Sequence, residues 1–426
     1  MMVPLLVILF AGTYALIVLE NSIRINKAAV ALVGGVASWT AVMVLSSDKH
    51  EVGISLFENI GSISGILFFL IGAITIVELI DSHEGFTIVS NLFSTLNKRY
   101  LLWLVALVTF FLSALLDNLT TTIIMITMLM KIIPDRRDIK IFASIIVIAA
   151  NAGGVWSPIG DVTSTMLWLG GRITSHGVIS NLFIPSLFSI LVPLCIFSIK
   201  FKGAYPGRAS PIVQTKNIVT SFHRTIVFFT GVTVLVLIPV FKAATGLPPY
   251  MGMLLGLGIV WIVIELIHKN DSQQTKIEHS VVHALRSIDM PTILFFLGIL
   301  LCVSALQSAN VLHLVAQFLG KSLKYNTCIL LSIGLISSIV DNVPLTAAVM
   351  GMYPLTQYSI DHQFWILLTY CVGTGGSILI IGSAAGIAAM GITKIDFVWY
   401  TKKIAPLVLA GYFTGAGIYV IIQALW

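Results

Sequence analysis

Two short polar stretches interrupt apolar sequence where chemistry has no obvious business. "LDNLTTTIIM" (Leu116 to Met125) sets an aspartate, an asparagine and three threonines inside the apolar run 101–130. "SSIVDNVPLTAAVM" (Ser337 to Met350) does the same with Asp341 and Asn342. Two more apolar runs are broken by glycines, at "NAGGVWSPIGDVTS" (Asn151 to Ser164) and "GTGGSILIIGSAAG" (Gly373 to Gly386). The first carries side-chain oxygens on Asn151, Ser157, Asp161, Thr163 and Ser164; the second carries them on Thr374, Ser377 and Ser383. Carboxylates, hydroxyls and carbonyls freed at helix breaks are hard oxygen donors, suited to a small hard cation. None of the four stretches holds a Lys or Arg, the residues a pocket for a dicarboxylate or phosphate would want unless helix N-termini served instead. Acids grouped away from water, here Asp117, Asp161 and Asp341, hold protons more tightly. A proton and a metal cation can then compete for the same oxygens, which with alternating access is enough for exchange.

The whole chain must put these residues in a membrane. Of its 426 residues 57% are hydrophobic and only 10% charged, against about 25% charged in a soluble protein. The mean hydropathy is +1.00, and runs near the roughly 20 residues needed to span a bilayer recur throughout. We expect an all-α polytopic membrane protein with no soluble domain. The net charge of +6 then belongs to cytoplasmic loops facing anionic lipid headgroups, not to nucleic-acid binding. Cys195, Cys302, Cys328 and Cys371 are scattered in apolar segments and read as packing, not disulfides or metal ligands. The opening "MMVPLLVILFAGTYALIVLE" has no basic n-region, and Arg24 and Lys27 follow it. That pattern reads as a retained first helix starting outside, not a cleaved leader. "LGKS" (Leu319 to Ser322) has Val315 where a phosphate-binding loop needs its leading glycine, so no ATPase signature is present.

Three collinear matches point to duplication. "GILFFLIG" (Gly65 to Gly72) resembles "TILFFLGI" (Thr292 to Ile299), Asp117-Asn118 matches Asp341-Asn342, and "AGGVWSPIGD" (Ala152 to Asp161) matches "TGGSILIIGS" (Thr374 to Ser383), with offsets of 227, 224 and 222. Residues 1–222 and 223–426 thus read as two repeats. Each would hold two helices (2–19 and 28–46; 224–241 and 250–267) and a third (62–80; 290–308). The Asp-Asn run, a Gly-broken run (141–170; 363–391) and a last helix (178–199; 404–424) complete each repeat. Each arm of the first Asp-Asn run is too short to span alone. If both runs are re-entrant hairpins, Lys and Arg divide 19 to 5 between the two sides; other topologies give 16 to 8 or 11 to 13. The tally includes Lys202, Arg208, Lys216 and Lys324. The positive-inside rule selects the first division. Each repeat then has five crossings, the second is inverted relative to the first, and both termini lie outside. Inverted repeats with broken helices meeting near the midplane are a secondary-transporter signature.

Plainer readings stand beside these. Asp117 or Asp341 could simply cap the second arm of its hairpin, and capping does not exclude ligation. Gly153, Gly154, Gly375 and Gly376 could serve close helix packing. Glu78, near a helix end in "TIVELIDSHEGF" (Thr75 to Phe86), is either a proton-path residue or a snorkelling end charge. His83 reads as a solvated loop residue. His279 and His283, spaced i,i+4, read as part of a cytoplasmic amphipathic helix sooner than as a metal pair.

"LDNLTTTIIM" and "NAGGVWSPIGDVTSTMLW" (Asn151 to Trp168) resemble signature stretches of the NhaD-type sodium/proton antiporters, and "TIVELIDSHEGF" is similar to that family too. The resemblance covers most of the chain. It implies the fold of the ion transporter superfamily, with inverted repeats that each carry a re-entrant hairpin and a broken helix. It implies exchange of Na⁺ or Li⁺ for H⁺ across a bacterial cytoplasmic membrane, with proton entry driving sodium exit and no resident cofactor. At matching positions it places function on Asp117, Asn118, Asn151, Asp161, Thr163 and Ser164, and in the second half on Asn342 and the Ser337-Ser338 pair. The superfamily's dicarboxylate carriers have Ser-Asn-Thr at the hairpin tips. This chain has Asp-Asn, a departure that favours cation exchange. An elevator motion and a homodimer are implied only by analogy. The runner-up is a cation-coupled carrier of a small anion or oxyacid; a third reading, a non-transporting scaffold, leaves Asp117 and Asp341 without purpose.

Overall fold

A computed structural model describes residues 2–90, 93, 97–133, 135–201, 203–205, 220–271, 276–277, 279–322 and 325–425. Lys202, Arg208, Lys216 and Lys324, counted in the charge division, lie outside the described residues. The first part of the chain forms α1 (Met2–Val18), α2 (Glu20–Ile23), α3 (Lys27–Leu45), α4 (Lys49–Ser82), α5 (Thr87–Ser90), α6 (Lys98–Leu116), α7 (Asn118–Ile132), α8 (Arg136–Val155), α9 (Val162–Leu169) and α10 (Ser175–Lys200). The second part forms α11 (Ser221–Thr245), α12 (Pro249–Ile267), α13 (Val281–Ser287), α14 (Met290–Ser308), α15 (Val311–Ser322), α16 (Asn326–Ile336), α17 (Asn342–Met352), α18 (Gln363–Gly375), α19 (Ala384–Thr393), α20 (Phe397–Lys403) and α21 (Ala405–Leu425). Nine helices among the described residues are long and apolar enough to cross a membrane. Large apolar side chains such as Val33, Phe57 and Phe229 face outward, as a lipid-facing surface requires.

Short polar side chains set the helix starts by accepting from otherwise orphaned backbone N–H groups. Asp48 accepts from His50 N and Glu51 N, both at 3.0 Å. Asn97 does this for α6, at 3.0 Å from Arg99 N, and Asp135 for α8, at 2.7 Å from Arg137 N. The Asp48 cap corrects one sequence expectation. The third helix is not confined to 62–80 but starts at Lys49 and runs to Ser82. At 1.5 Å per residue it is about 50 Å long, well beyond a hydrocarbon core of about 30 Å. Hydropathy marks only the apolar part of such a helix.

Ion pairs and grooves fix the directions of the central elements. Lys98, at the start of α6, pairs with Asp138, at the start of α8, at 2.7 Å. Since α8 begins a few residues after α7 ends, α6 and α7 return to the end they left. Arg136, Arg137, Lys140, Lys200, Lys394 and Lys403 line one groove there, which marks the basic end of the bundle. From it α8 and α9 run to the opposite end, where Arg172 donates to Met350 O at 3.2 Å and accepts at its own carbonyl from Asp361 N at 3.0 Å. The base of the second hairpin lies at that opposite end. The start of α16 (Asn326) shares a groove with His362 and Gln363, and Tyr353, just past α17, packs on Phe364 with centroids 4.7 Å apart. From there α18 and α19 run back to Lys394 in the basic groove. The two hairpins therefore enter from opposite ends, and the two broken helices cross in opposite directions.

The larger core joins α6–α8, α10, α12, α18 and α21. A second cluster joins α1, α3 and α14 with Val343 and Ala347 of α17. In it α3 and α14 touch backbone to backbone: a Cβ on Gly298 would overlap Ala31, and Trp39 Nε1 donates to Ser304 Oγ at 3.1 Å.

Two histidine readings need correction. His83 is no solvated loop residue; its ring is fully buried at 0% exposure. His279 and His283 do not share a helix face. Ser280 accepts from His283 N at 3.1 Å and starts α13 after His279, which lies buried in the preceding turn.

Candidate functional site

Asp117 is the single residue between α6 and α7, and its backbone is at φ 102°, ψ 161°. That region is nearly reserved for glycine and costs about 1–3 kcal/mol for other residues. Its carboxylate caps α7, accepting from Thr120 N and Thr120 Oγ1, both at 2.8 Å. The capping reading is thus realised at this tip. Asp341 caps α17 more loosely, at 3.3 Å from Val343 N, and its own N–H donates to Tyr14 Oη at 3.0 Å.

Each following asparagine turns inward to a helix break. Asn118 Nδ2 donates to Asn151 Oδ1 at 2.9 Å and to Asp161 Oδ1 at 3.3 Å. Asp161 also accepts from Thr163 Oγ1 at 2.6 Å. Ser164 Oγ donates to Asp161 O at 2.9 Å and holds the turn closed. In the second half Asn342 reaches Ser337 Oγ at 2.6 Å, and with its amide nitrogen on that side it also donates to Gly382 O at 3.2 Å and Val372 O at 3.3 Å. The breaks can come this close because glycines line them. A Cβ on Gly153 would strike the Phe110 carbonyl in α6.

A side-chain bond joins the two breaks. Asn151 Nδ2 donates to Ser383 Oγ at 3.0 Å, so first hairpin, first broken helix and second broken helix form one buried chain of polar groups. Asn118, Asn151, Asp161, Thr163, Ser164, Ser383, Ser337 and Asn342 are all buried. Ser377 is not part of the chain. Its hydroxyl donates to Thr374 O at 2.7 Å and its carbonyl accepts from Tyr400 Oη at 2.8 Å, which closes the end of α18.

A cavity of about 280 Å³ leads from this site toward the end of α4. Asp117, Asn118 and Thr120 line its inner part, Glu78 and Asp81 its wall, and Asp289 sits among the lining residues beyond α13. No Lys or Arg is among the lining residues. Asp81 and Tyr14 were not foreseen. Asp81 left a signal in "ELID", since Glu78 and Asp81 are spaced i,i+3 on one helix face. Tyr14 left none, because its partner is 327 residues away.

A citrate-transporter family model matches residues 14–373. Sodium/proton antiporter 1 of Arabidopsis thaliana is 43% identical over 98% of this chain and 72% of its own length. Sodium/proton antiporter 2 of the same plant is 42% identical over 98% of this chain and 99% of its own. The Na⁺/H⁺ antiporter NhaD of Vibrio cholerae is 31% identical over 95% and 88%. The chain belongs to the NhaD-type sodium/proton antiporter family. It is a multi-pass membrane protein of a transporter family, not an enzyme. The two stretches that resemble NhaD-type sequence build the polar chain: Asn118 lies on one, Asn151, Asp161, Thr163 and Ser164 on the other.

Proposed function

We propose that this protein exchanges Na⁺ or Li⁺ for H⁺, with cation and proton competing for one site around Asp161. Asp161 is the central carboxylate; Asn118, Asn151, Thr163 and Ser383 supply or orient its oxygen neighbours. Asp117 is the second acid and faces the cavity, where Glu78 extends the proton path. Asp341, Asn342, Ser337, Ser164 and Ser377 support the second tip and the breaks. The observation that carries this reading is the buried chain Asp161–Asn118–Asn151–Ser383, which meets at Asn118 a cavity lined by acids and by no Lys or Arg. A hydrated sodium ion loses water here only if such oxygens replace it. An anion carrier would need cationic or N–H donors in that cavity, which weighs against the runner-up.

The opposed hairpins support a reading of residues 1–222 and 223–426 as inverted repeats, each with five crossings. The basic groove supports placing that end in the cytoplasm, with both termini outside, in a bacterial cytoplasmic membrane. A homodimer and an elevator motion complete the reading by analogy. The test is transport by purified protein in liposomes carrying a pH dye. Na⁺ and Li⁺ should collapse an imposed pH gradient while citrate does not. Citrate-dependent sodium uptake without proton counterflow would replace the antiporter reading with the carrier.

A further inference from the structure

Away from the polar chain, histidines from four separate segments meet at the end of the bundle that holds the first hairpin's base. His83 follows α4, His223 lies in the first turn of α11, His268 follows α12 and His279 precedes α13. His83, His268 and His279 are buried. Their ring centroids are 5.2 Å (83–268), 5.1 Å (83–279) and 5.5 Å (268–279) apart, and His223 lies 5.0 Å from His268.

The hydrogen bonds fix two tautomers. His83 Nδ1 lies 2.7 Å from Leu79 O. A carbonyl only accepts, so this nitrogen carries the hydrogen. His268 Nδ1 lies 2.6 Å from Asp271 Oδ2. An aspartate carboxylate only accepts, so His268 Nδ1 is also a donor. Both Nε2 atoms are then left as lone pairs, and they face each other at 3.0 Å. Two buried acceptors in contact repel unless something electrophilic is shared between them.

We propose that this cluster binds one divalent transition-metal ion, zinc in the first instance, through His83 Nε2, His268 Nε2 and His279. Imidazole nitrogens suit zinc, copper and nickel, whereas sodium, magnesium and calcium want oxygen; the site is therefore no second sodium site. Two nitrogens on a tetrahedral zinc, each at 2.0–2.1 Å, lie about 3.3 Å apart, so the His83–His268 pair needs to open only slightly. The Leu79 carbonyl and the Asp271 carboxylate are the outer partners that orient the two rings, as in carboxylate–histidine–metal arrangements. His223, with one nitrogen among ligand atoms of His268 and Asp271 that all lie within 4.8 Å, backs that carboxylate. The fourth position is left for water. The ion ties His268, just past α12, and His279, just before α13, to the end of α4. Both α4, through Glu78 and Asp81, and the Ser287–Asp289 segment just past α13 line the cavity that reaches Asp117. A bound ion therefore staples the mouth of that cavity.

The test uses purified full-length protein freed of any histidine tag. Zn²⁺ is titrated against a chromophoric chelator, and Co²⁺ is added separately to read its ligand-field spectrum. We expect one equivalent of tightly bound Zn²⁺ and an intense Co²⁺ spectrum of four-coordinate type. His83→Gln and His268→Gln should each weaken Zn²⁺ binding at least tenfold, while His313→Gln, at an exposed position of α15, should not. If either variant fails to fold, the wild-type Co²⁺ spectrum decides alone: a weak six-coordinate spectrum overturns the proposal. Absence of stoichiometric Zn²⁺ binding in the wild type overturns it too, as does wild-type affinity in a well-folded His83→Gln/His268→Gln double variant.

Discussion

Asn151 and Ser383 are 232 residues apart in sequence, yet the Asn151 amide donates to the Ser383 hydroxyl at 3.0 Å. Each sits on a broken helix, one in each half of the chain. The bond makes the two breaks a single polar unit with Asn118 and Asp161 at its other end. Removing any member should be felt by the rest.

Coupling within that unit is the first prediction. Asn118→Ala and Ser383→Ala should each raise the Na⁺ concentration for half-maximal exchange about tenfold, equivalent to ~1.4 kcal/mol. The double variant should fall well short of a hundredfold, because linked residues are not additive. Dose–response curves in vesicles check this; full additivity would mean that the Asn151–Ser383 bond carries no coupling.

The backbone of Asp117 makes a prediction about stability. Glycine relieves a conformation costing about 1–3 kcal/mol at φ 102° and forfeits only a few tenths as a cap. Asp117→Gly should therefore melt at or above the wild-type temperature while losing exchange. Asp117→Ala keeps the strain and loses the cap, so it should be destabilised by about 1 kcal/mol. Thermal melts by fluorescence distinguish the two, and a glycine variant less stable than the alanine variant would refute the strain.

Close packing at the first break predicts a sharp glycine effect. Gly153→Ala drives a methyl into the Phe110 carbonyl and should cost about 1–3 kcal/mol or more. Gly391→Ala, where the added carbon meets open space, should be neutral within about 0.5 kcal/mol. Equal melting temperatures for the two variants would contradict the packing at the break.

Accessibility tests the cavity. With Cys195 and Cys328, the two exposed cysteines, replaced, Leu119→Cys and Ile123→Cys on the cavity wall should react with a membrane-impermeant thiol reagent from the basic end. Val343→Cys on the second tip, buried at 3% exposure, should resist. In the same assay Glu78→Gln should slow exchange several-fold and leave labelling intact. Labelling of the wall from the other face alone would place the opening wrongly.

How much of this was readable in the chain depends on what kind of information each feature needs. Asp117, Asn118 and Asn342 stood out because polar residues in an apolar run have no cheap explanation in lipid. Asn151, Asp161, Thr163 and Ser164 stood out because they surround glycines where a helix cannot continue. Ser377 carried the same signal, yet it closes a helix end away from the polar chain. Composition places a hydroxyl near a break but does not aim it. Tyr14 on Asp341 and the four-histidine cluster were out of reach, since only tertiary packing brings residues 83, 223, 268 and 279 together. The length of α4 was missed because hydropathy stops where polar residues begin, whereas a helix stops where its backbone bonds do.

The central claim is that sodium and a proton compete at Asp161. The most direct measurement is proton release when Na⁺ is added to purified protein in weakly buffered detergent solution, read with a pH dye. The account predicts saturable release by the wild type with Na⁺ and Li⁺, none with K⁺ at equal ionic strength, and none by a well-folded Asp161→Asn variant. Sodium binding without proton release, or undiminished release by Asp161→Asn, would contradict it.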